Sequence, residues 1–226
     1  MSQGSVHAGP GHLDALLERV QRVRAAGGPE RHGRALIGIV GAPGAGKSTL
    51  ASLLAEALGS AGTASAVVGM DGYHLAQAEL ERLGRADRKG APDTFDADGY
   101  VALVRRIRVQ RPDSPAVYAP LFDRHLEEPI GSAVPVPADV PVVLTEGNYL
   151  LLPTDPWQRL RRLLDETWYV SVDEDARRAR LLARHLAHGR PPEVAEAFAG
   201  GSDQRNAELV ASTRRRADLV VHWRDA

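Results

Sequence analysis

The chain of 226 residues contains no cysteine, which removes any disulfide framework and any thiolate-ligated metal site. That absence fits a cytoplasmic protein. No apolar run approaches the ~20 residues needed to cross a bilayer, so no membrane partner is expected. Neither sign of charge is in excess. The 28 Lys+Arg and 29 Asp+Glu leave a formal net charge of −1, which gives no general attraction to nucleic acid. Lysine itself is scarce: only Lys47 and Lys89 stand among those 28 basic residues. Residues 1–10 lack the apolar core of a secretion signal and read as a disordered lead-in, leaving 11–226 as a single domain.

What the chain does have is a regular alternation of short apolar runs and helical patterns. Ala35–Val40 is continuously apolar, as in a strand buried on both faces. A glycine loop follows, and Leu50, Leu53, Leu54 and Leu58 then recur at helical spacing. Ala66–Met70, Val140–Leu144, Thr167–Val172 and Leu219–Trp223 read as further strands. Helices are predicted over about 11–26, 75–84, 157–164, 174–188 and 193–216, with another marked by Val101, Leu103, Val104 and Ile107. Residues 115–122 read as extended, and the Pro-rich stretch 131–139 as a turn or surface excursion. Strands alternating with helices predict an α/β fold of three layers, with a central, mostly parallel sheet flanked by helices.

The loop Gly41-Ala42-Pro43-Gly44-Ala45-Gly46-Lys47-Ser48 matches G-x-x-x-x-G-K-[ST]. Its glycines let successive N–H groups converge on phosphate oxygens, and the helix behind adds its positive end. Lys47 reaches the β- and γ-phosphates and Ser48 offers a hydroxyl to Mg²⁺. Thr49, the next residue, is expected with the loop among the nucleotide-binding residues. ATP with Mg²⁺ is the expected ligand, and the strand–loop–helix order identifies a P-loop NTPase fold. Two acids follow predicted strands, where ligands of such sheets sit: Asp71 and Glu146. Glu146 is placed to hold Mg²⁺ directly or through water, and Asp71 to accept or orient a substrate hydroxyl proton. Capping of the following turn is the plainer role open to each.

Taken with Met70–His74, Arg88–Asp96, Val117–Arg124 and Thr145–Tyr149, the loop resembles the phosphoribulokinase, uridine kinase and pantothenate kinase family, and most of all its small bacterial nucleoside/nucleotide (fructose-transport-system-type) kinases. The resemblance runs from about Leu36 to Trp223. It implies transfer of the ATP γ-phosphoryl group to a hydroxyl of a small metabolite (a nucleoside, pantothenate-like or sugar acceptor). It further implies that Asp71 is the catalytic acid residue, and that Tyr73, His74, Arg88, Lys89, Phe95, Tyr118 and Arg124 surround the acceptor. A lid helix of the family would fall at about 174–202, with Arg184 and then Arg180 touching phosphate. A solvated basic helix paired with Asp173, Glu174 and Asp175 is the alternative there. Asn206 reads as an adenine neighbour or, more simply, as a helix-surface amide. A homodimer is compatible with this reading.

The competing class is a P-loop NTPase or nucleotide-binding regulatory protein with no small-molecule acceptor. Neither lysine is preceded by Asn, so the guanine-reading Asn-Lys-x-Asp of common GTPases is missing.

Overall fold

The computed structural model describes residues 3–27, 33–187, 191–193, 196 and 200–224. Six strands form one parallel sheet: β1 (Gly4–Ala8), β2 (Ala35–Val40), β3 (Ser65–Gly69), β6 (Val142–Gly147), β7 (Glu166–Ser171) and β8 (Leu219–Trp223). Their spatial order is β1-β8-β7-β2-β6-β3. A two-stranded antiparallel ribbon, β4 (Val117–Asp123) with β5 (Glu128–Val136), stands apart from that sheet. Helices α1 (Asp14–Ala26), α2 (Lys47–Ser60), α3 (Gln77–Arg82), α4 (Ala97–Arg108), α5 (Glu174–Ala187) and α6 (Ser202–Ser212) supply the connections.

Alternate residues of each central strand enter opposite cores. Ile37 and Ile39 of β2 join Leu16, Val20, Leu50, Leu54 and Trp168 on the face covered by α1 and α2. Leu36 and Val40 join Tyr100, Val104, Ile107, Val143 and Val210 on the face covered by α4 and α6. With both faces covered, every residue of β2 is buried, which is why that strand reads as an unbroken apolar run. Two buried polar groups fix its entry. The Asp165 carboxylate accepts from Leu36 N at 2.7 Å and pairs with Arg108 at 2.7 Å. Arg34 donates to the carbonyls of Ile107, Pro137, Ala138 and Val140.

Two segments depart from expectation. The supposed lead-in contains β1, which pairs in parallel with β8 from Gly4 beside Leu219 to Ala8 beside Trp223. Gln3 Nε2 also donates to the carbonyls of Arg214 and Ala217. The order comes from the open edge of β8, not from any local propensity in Gly-Ser-Val-His-Ala. The Pro-rich stretch 131–139 likewise holds the second half of β5. Pairing with β4 supplies its ladder, and Val134 and Val136 turn inward toward the core.

Candidate active site

The carboxyl ends of β2, β6 and β3 lie side by side, with Glu146 in register with Ile39 and Gly69. From β2 the chain curls through the loop 41–46, where Gly44 and Gly46 take φ of +80° and +87°. A Cβ at Gly44 would stand 2.8 Å from the Arg177 carbonyl oxygen, and one at Gly46 would stand 3.3 Å from Trp223 Nε1. The positive φ favours glycine at both positions, and at Gly44 the nearby carbonyl also leaves no room for a side chain. Helix α2 then begins at Lys47 with no side-chain cap, so its first N–H groups remain available to an anion.

Lys47 Nζ donates to Ala42 O at 3.2 Å. Enclosure pulls its pKa down, opposed by the charges of Glu146 and Asp71. Ser48 Oγ donates to Glu146 Oε1 at 3.1 Å. Glu146 is buried, and burial first and the neighbouring Asp71 second push its carboxyl above the usual range. Asp71 follows β3 in the 3-10 turn Met70–Tyr73, and its Oδ2 lies 3.4 Å from Arg124 Nη2 in the β4–β5 turn.

His74 closes that turn. Its Nδ1 donates to the Asp71 carbonyl at 2.7 Å, since that oxygen can only accept, leaving Nε2 as the acceptor of the neutral ring. The imidazole is wedged between Phe95 and Phe122, at centroid distances of 4.1 and 4.7 Å. Burial lowers its pKa. Lys89 reaches in from the connection between α3 and α4, donating to Glu127 O at 2.6 Å with its ammonium 5.6 Å from the Phe122 ring centre.

These groups line one open cleft of about 390 Å³. Of the residues proposed from sequence, Pro43, Lys47, Ser48, Asp71, His74, Lys89, Phe95, Arg124, Glu146 and Arg184 face it. Arg184, on α5, has its pKa lowered by burial first and by Arg124 second. Arg180 Nη1 comes within 3.5 Å of the Cβ position at Gly46, beside the phosphate loop. Thr49 is exposed on the first turn of α2. Three acceptor candidates lie elsewhere. Tyr73 packs edge-on against Tyr100 at 5.4 Å, and burial lifts its hydroxyl pKa to about 12. Arg88 pairs with Asp93 at 2.8 Å outside the cleft. Tyr118 is 54% exposed on the outer face of the ribbon, because strand alternation sends its neighbours Val117 and Ala119 inward.

The arginine-rich α5 divides by position. Arg177 is buried and donates to Pro43 O, Glu174 and Gln204, which removes it from the solvated helix face expected of the run. Arg178 fits that expectation, as an exposed partner of Glu174. The remainder of the expected lid, including Gly189, falls partly outside the described residues. Asn206 is buried and lines the cleft rather than the helix surface. Sequence reasoning passed over Gln77, Phe122, Glu127, Asn148 and Asp203, which also line it. Phe122 and Asn148 sit inside segments already singled out, whereas Glu127, in the β4–β5 turn, and Gln77, at the start of α3, join the cleft only through the tertiary fold.

Comparison with known proteins identifies the family. The profile of the Phosphoribulokinase / Uridine kinase family matches residues 36–222. The ATP-dependent kinase-like protein notR' of Aspergillus versicolor is 36% identical over 165 residues, covering 69% of this chain and 96% of its own. YggC of Escherichia coli (strain K12), an uncharacterized protein, is 31% identical over 219 residues, covering 96% and 86%. A crystal structure from Silicibacter sp. TM1040, named provisionally as a fructose transport system kinase, superposes with a TM-score of 0.80 at 38% identity, covering 91% of this chain and 98% of that one. The chain therefore belongs to the phosphoribulokinase / uridine kinase family of ATP-dependent small-molecule kinases.

Proposed function

We propose that the cleft moves the γ-phosphoryl group of Mg-ATP onto a hydroxyl of a small metabolite, of nucleoside, pantothenate-like or sugar type, held between Asp71, His74 and Arg124. One observation carries this reading. Lys47, Glu146 and Asp71 converge from three adjacent strand ends, and a second group, His74, Lys89, Phe95 and Arg124, lines the same cleft beside Asp71. A nucleotide switch needs only the first group; an acceptor needs the second.

The loop 41–46 and the first turn of α2 cradle the phosphates with backbone N–H groups, and Lys47 neutralises charge on the β- and γ-oxygens. Ser48 and Glu146 suit Mg²⁺. Their oxygens lie 3.1 Å apart, and the buried Glu146 carboxylate stands against Asp71 with an unfavourable interaction that a cation relieves. The bound ion would add positive charge at the β- and γ-phosphates. Asp71 takes the hydroxyl proton as the acceptor oxygen bonds to the γ-phosphorus and the bond to the ADP oxygen breaks. Arg124 keeps the Asp71 carboxylate oriented, and His74 Nε2 is available to receive a second acceptor hydroxyl. Arg184, with Arg180 beside the phosphate loop, neutralises the moving group from above.

The test is to incubate the protein with γ-³²P-labelled ATP, Mg²⁺ and a protein-free extract of small metabolites. Label is expected in an acid-stable organic ester, and that label should vanish with Asp71→Asn. Label recovered only as inorganic phosphate, at equal rates in both proteins, would favour the acceptor-free NTPase.

A further inference from the structure

The phosphate loop and the loop around Gly90 both border the cleft, and a carbonyl of each is tied to α6, that of Gly90 directly and that of Pro43 through Arg177 of α5. On the nucleotide side, Arg177 is 2% exposed. Its Nη1 donates to Pro43 O at 3.0 Å and its Nη2 to Gln204 Oε1 at 2.8 Å. Gln204 belongs to α6. On the acceptor side Asn206, two residues further along α6 and 6% exposed, donates through Nδ2 to Gly90 O at 3.3 Å. The Tyr149 hydroxyl donates to that same oxygen at 2.5 Å.

Residues two apart on an α-helix project roughly 200° from one another. This spacing lets one turn of α6 reach Arg177 of α5 on one side and the Gly90 loop on the other. Gly90 has φ +98°, a conformation easy for glycine alone, and it adjoins Lys89 and precedes Phe95, both of which line the cleft. Asp203, one turn earlier than Asn206, lines the cleft as well. The grip on Gly90 therefore sets where the acceptor wall stands.

We infer that α6 couples the two substrate loops, with Gln204 and Asn206 as positioning residues. Phosphates settling into the loop 41–46 bias Pro43, and the Arg177–Gln204 contact passes this to α6. Asn206 then draws Gly90, and with it Lys89 and Phe95, into the arrangement that receives the acceptor. This rests on the loop's binding of ATP and on no particular acceptor. By linkage the acceptor must tighten nucleotide binding by the same factor, and the nucleotide must contact the two arrangements differently.

Hydrogen–deuterium exchange tests this without an acceptor. Exchange is followed in peptides covering 38–50 and 86–95, with and without Mg²⁺ and the non-hydrolysable analogue AMP-PNP. The proteins are the full chain, Asn206→Ala and Gln204→Ala. In the unaltered chain the analogue should slow exchange in both peptides, about fivefold or more in 86–95. Both variants should keep the slowing at 38–50 and lose it at 86–95, a split that general loosening of the fold would not produce. Should Asn206→Ala fail to fold, Gln204→Ala breaks the same link from a half-buried position. Protection of 86–95 that persists in the folded variants overturns the inference, as does its absence in the unaltered chain while 38–50 is protected. No protection at 38–50 would instead remove the nucleotide-binding premise, and the inference with it.

Discussion

His74 shows how one side chain is fixed by its neighbours before any substrate arrives. Its Nδ1–H is committed to the Asp71 carbonyl and its ring is held between two phenyl groups. Burial disfavours the imidazolium and lowers the pKa from its ordinary 6.5. The unfolded chain thus takes up this proton first as the pH falls. The stability His74 contributes is complete above about pH 6.5 and is lost as the pH drops through its lowered value. We expect the thermal midpoint to fall between pH 7 and pH 5, and to fall less steeply in His74→Asn, whose amide can keep the bond to Asp71. Equal slopes in the two proteins would remove His74 as a contributor. At this scale the phosphate loop was legible because it is local: one continuous motif, held by glycines whose backbone it needs. Tyr73, Arg88 and Tyr118 were not, because whether a side chain faces the cleft depends on the turn and ribbon geometry, which adjacent residues do not encode.

Helix α5 carries a run of arginines that looks uniform in sequence and is not uniform in space. Arg177 is buried against the phosphate loop while Arg178, the next residue, shares Glu174 in solvent. Truncating Arg177 leaves the Pro43 carbonyl and Gln204 without their donor, a loss of about 2–3 kcal/mol. At about 2–4 °C per kcal/mol for a chain of this size, Arg177→Met should lower the thermal midpoint by roughly 5–10 °C and weaken ATP binding. Arg178→Ala should change stability by less than about 1 kcal/mol. Calorimetric melting with nucleotide titration measures both, and similar losses from the two substitutions would contradict this division. The helical periodicity of α5 was plain in the sequence, but its contacts were not, since they depend on α6 and the loop after β2. β1 was illegible for a related reason. Its strand character comes from the exposed edge of β8, and Gly4–Ala8 has little apolar alternation of its own.

Across the whole molecule, the parallel sheet does the assembling. The order β1-β8-β7-β2-β6-β3 puts the ends of β2, β6 and β3 together, although the loop at 41–48 and Glu146 lie about a hundred positions apart in the chain. The α/β alternation made this sheet readable from sequence, because both-face burial leaves unbroken apolar runs. The β4–β5 ribbon, which brings Phe122, Arg124 and Glu127 to the cleft, was half hidden by the prolines of β5. In the proposed function that ribbon is what adds an acceptor site to a phosphoryl donor site. The account therefore turns on whether ATP turnover waits for an acceptor. The decisive measurement is coupled ADP release with Mg-ATP, alone and with each of a panel of nucleosides, pantothenate, sugars and vitamin-like ribosides. It should be run on the unaltered protein and on Asp71→Asn. The account predicts slow release alone and a stimulation of at least about 100-fold by the correct hydroxyl compound, lost in Asp71→Asn. Rapid release without any acceptor, undiminished by Asp71→Asn, would contradict it.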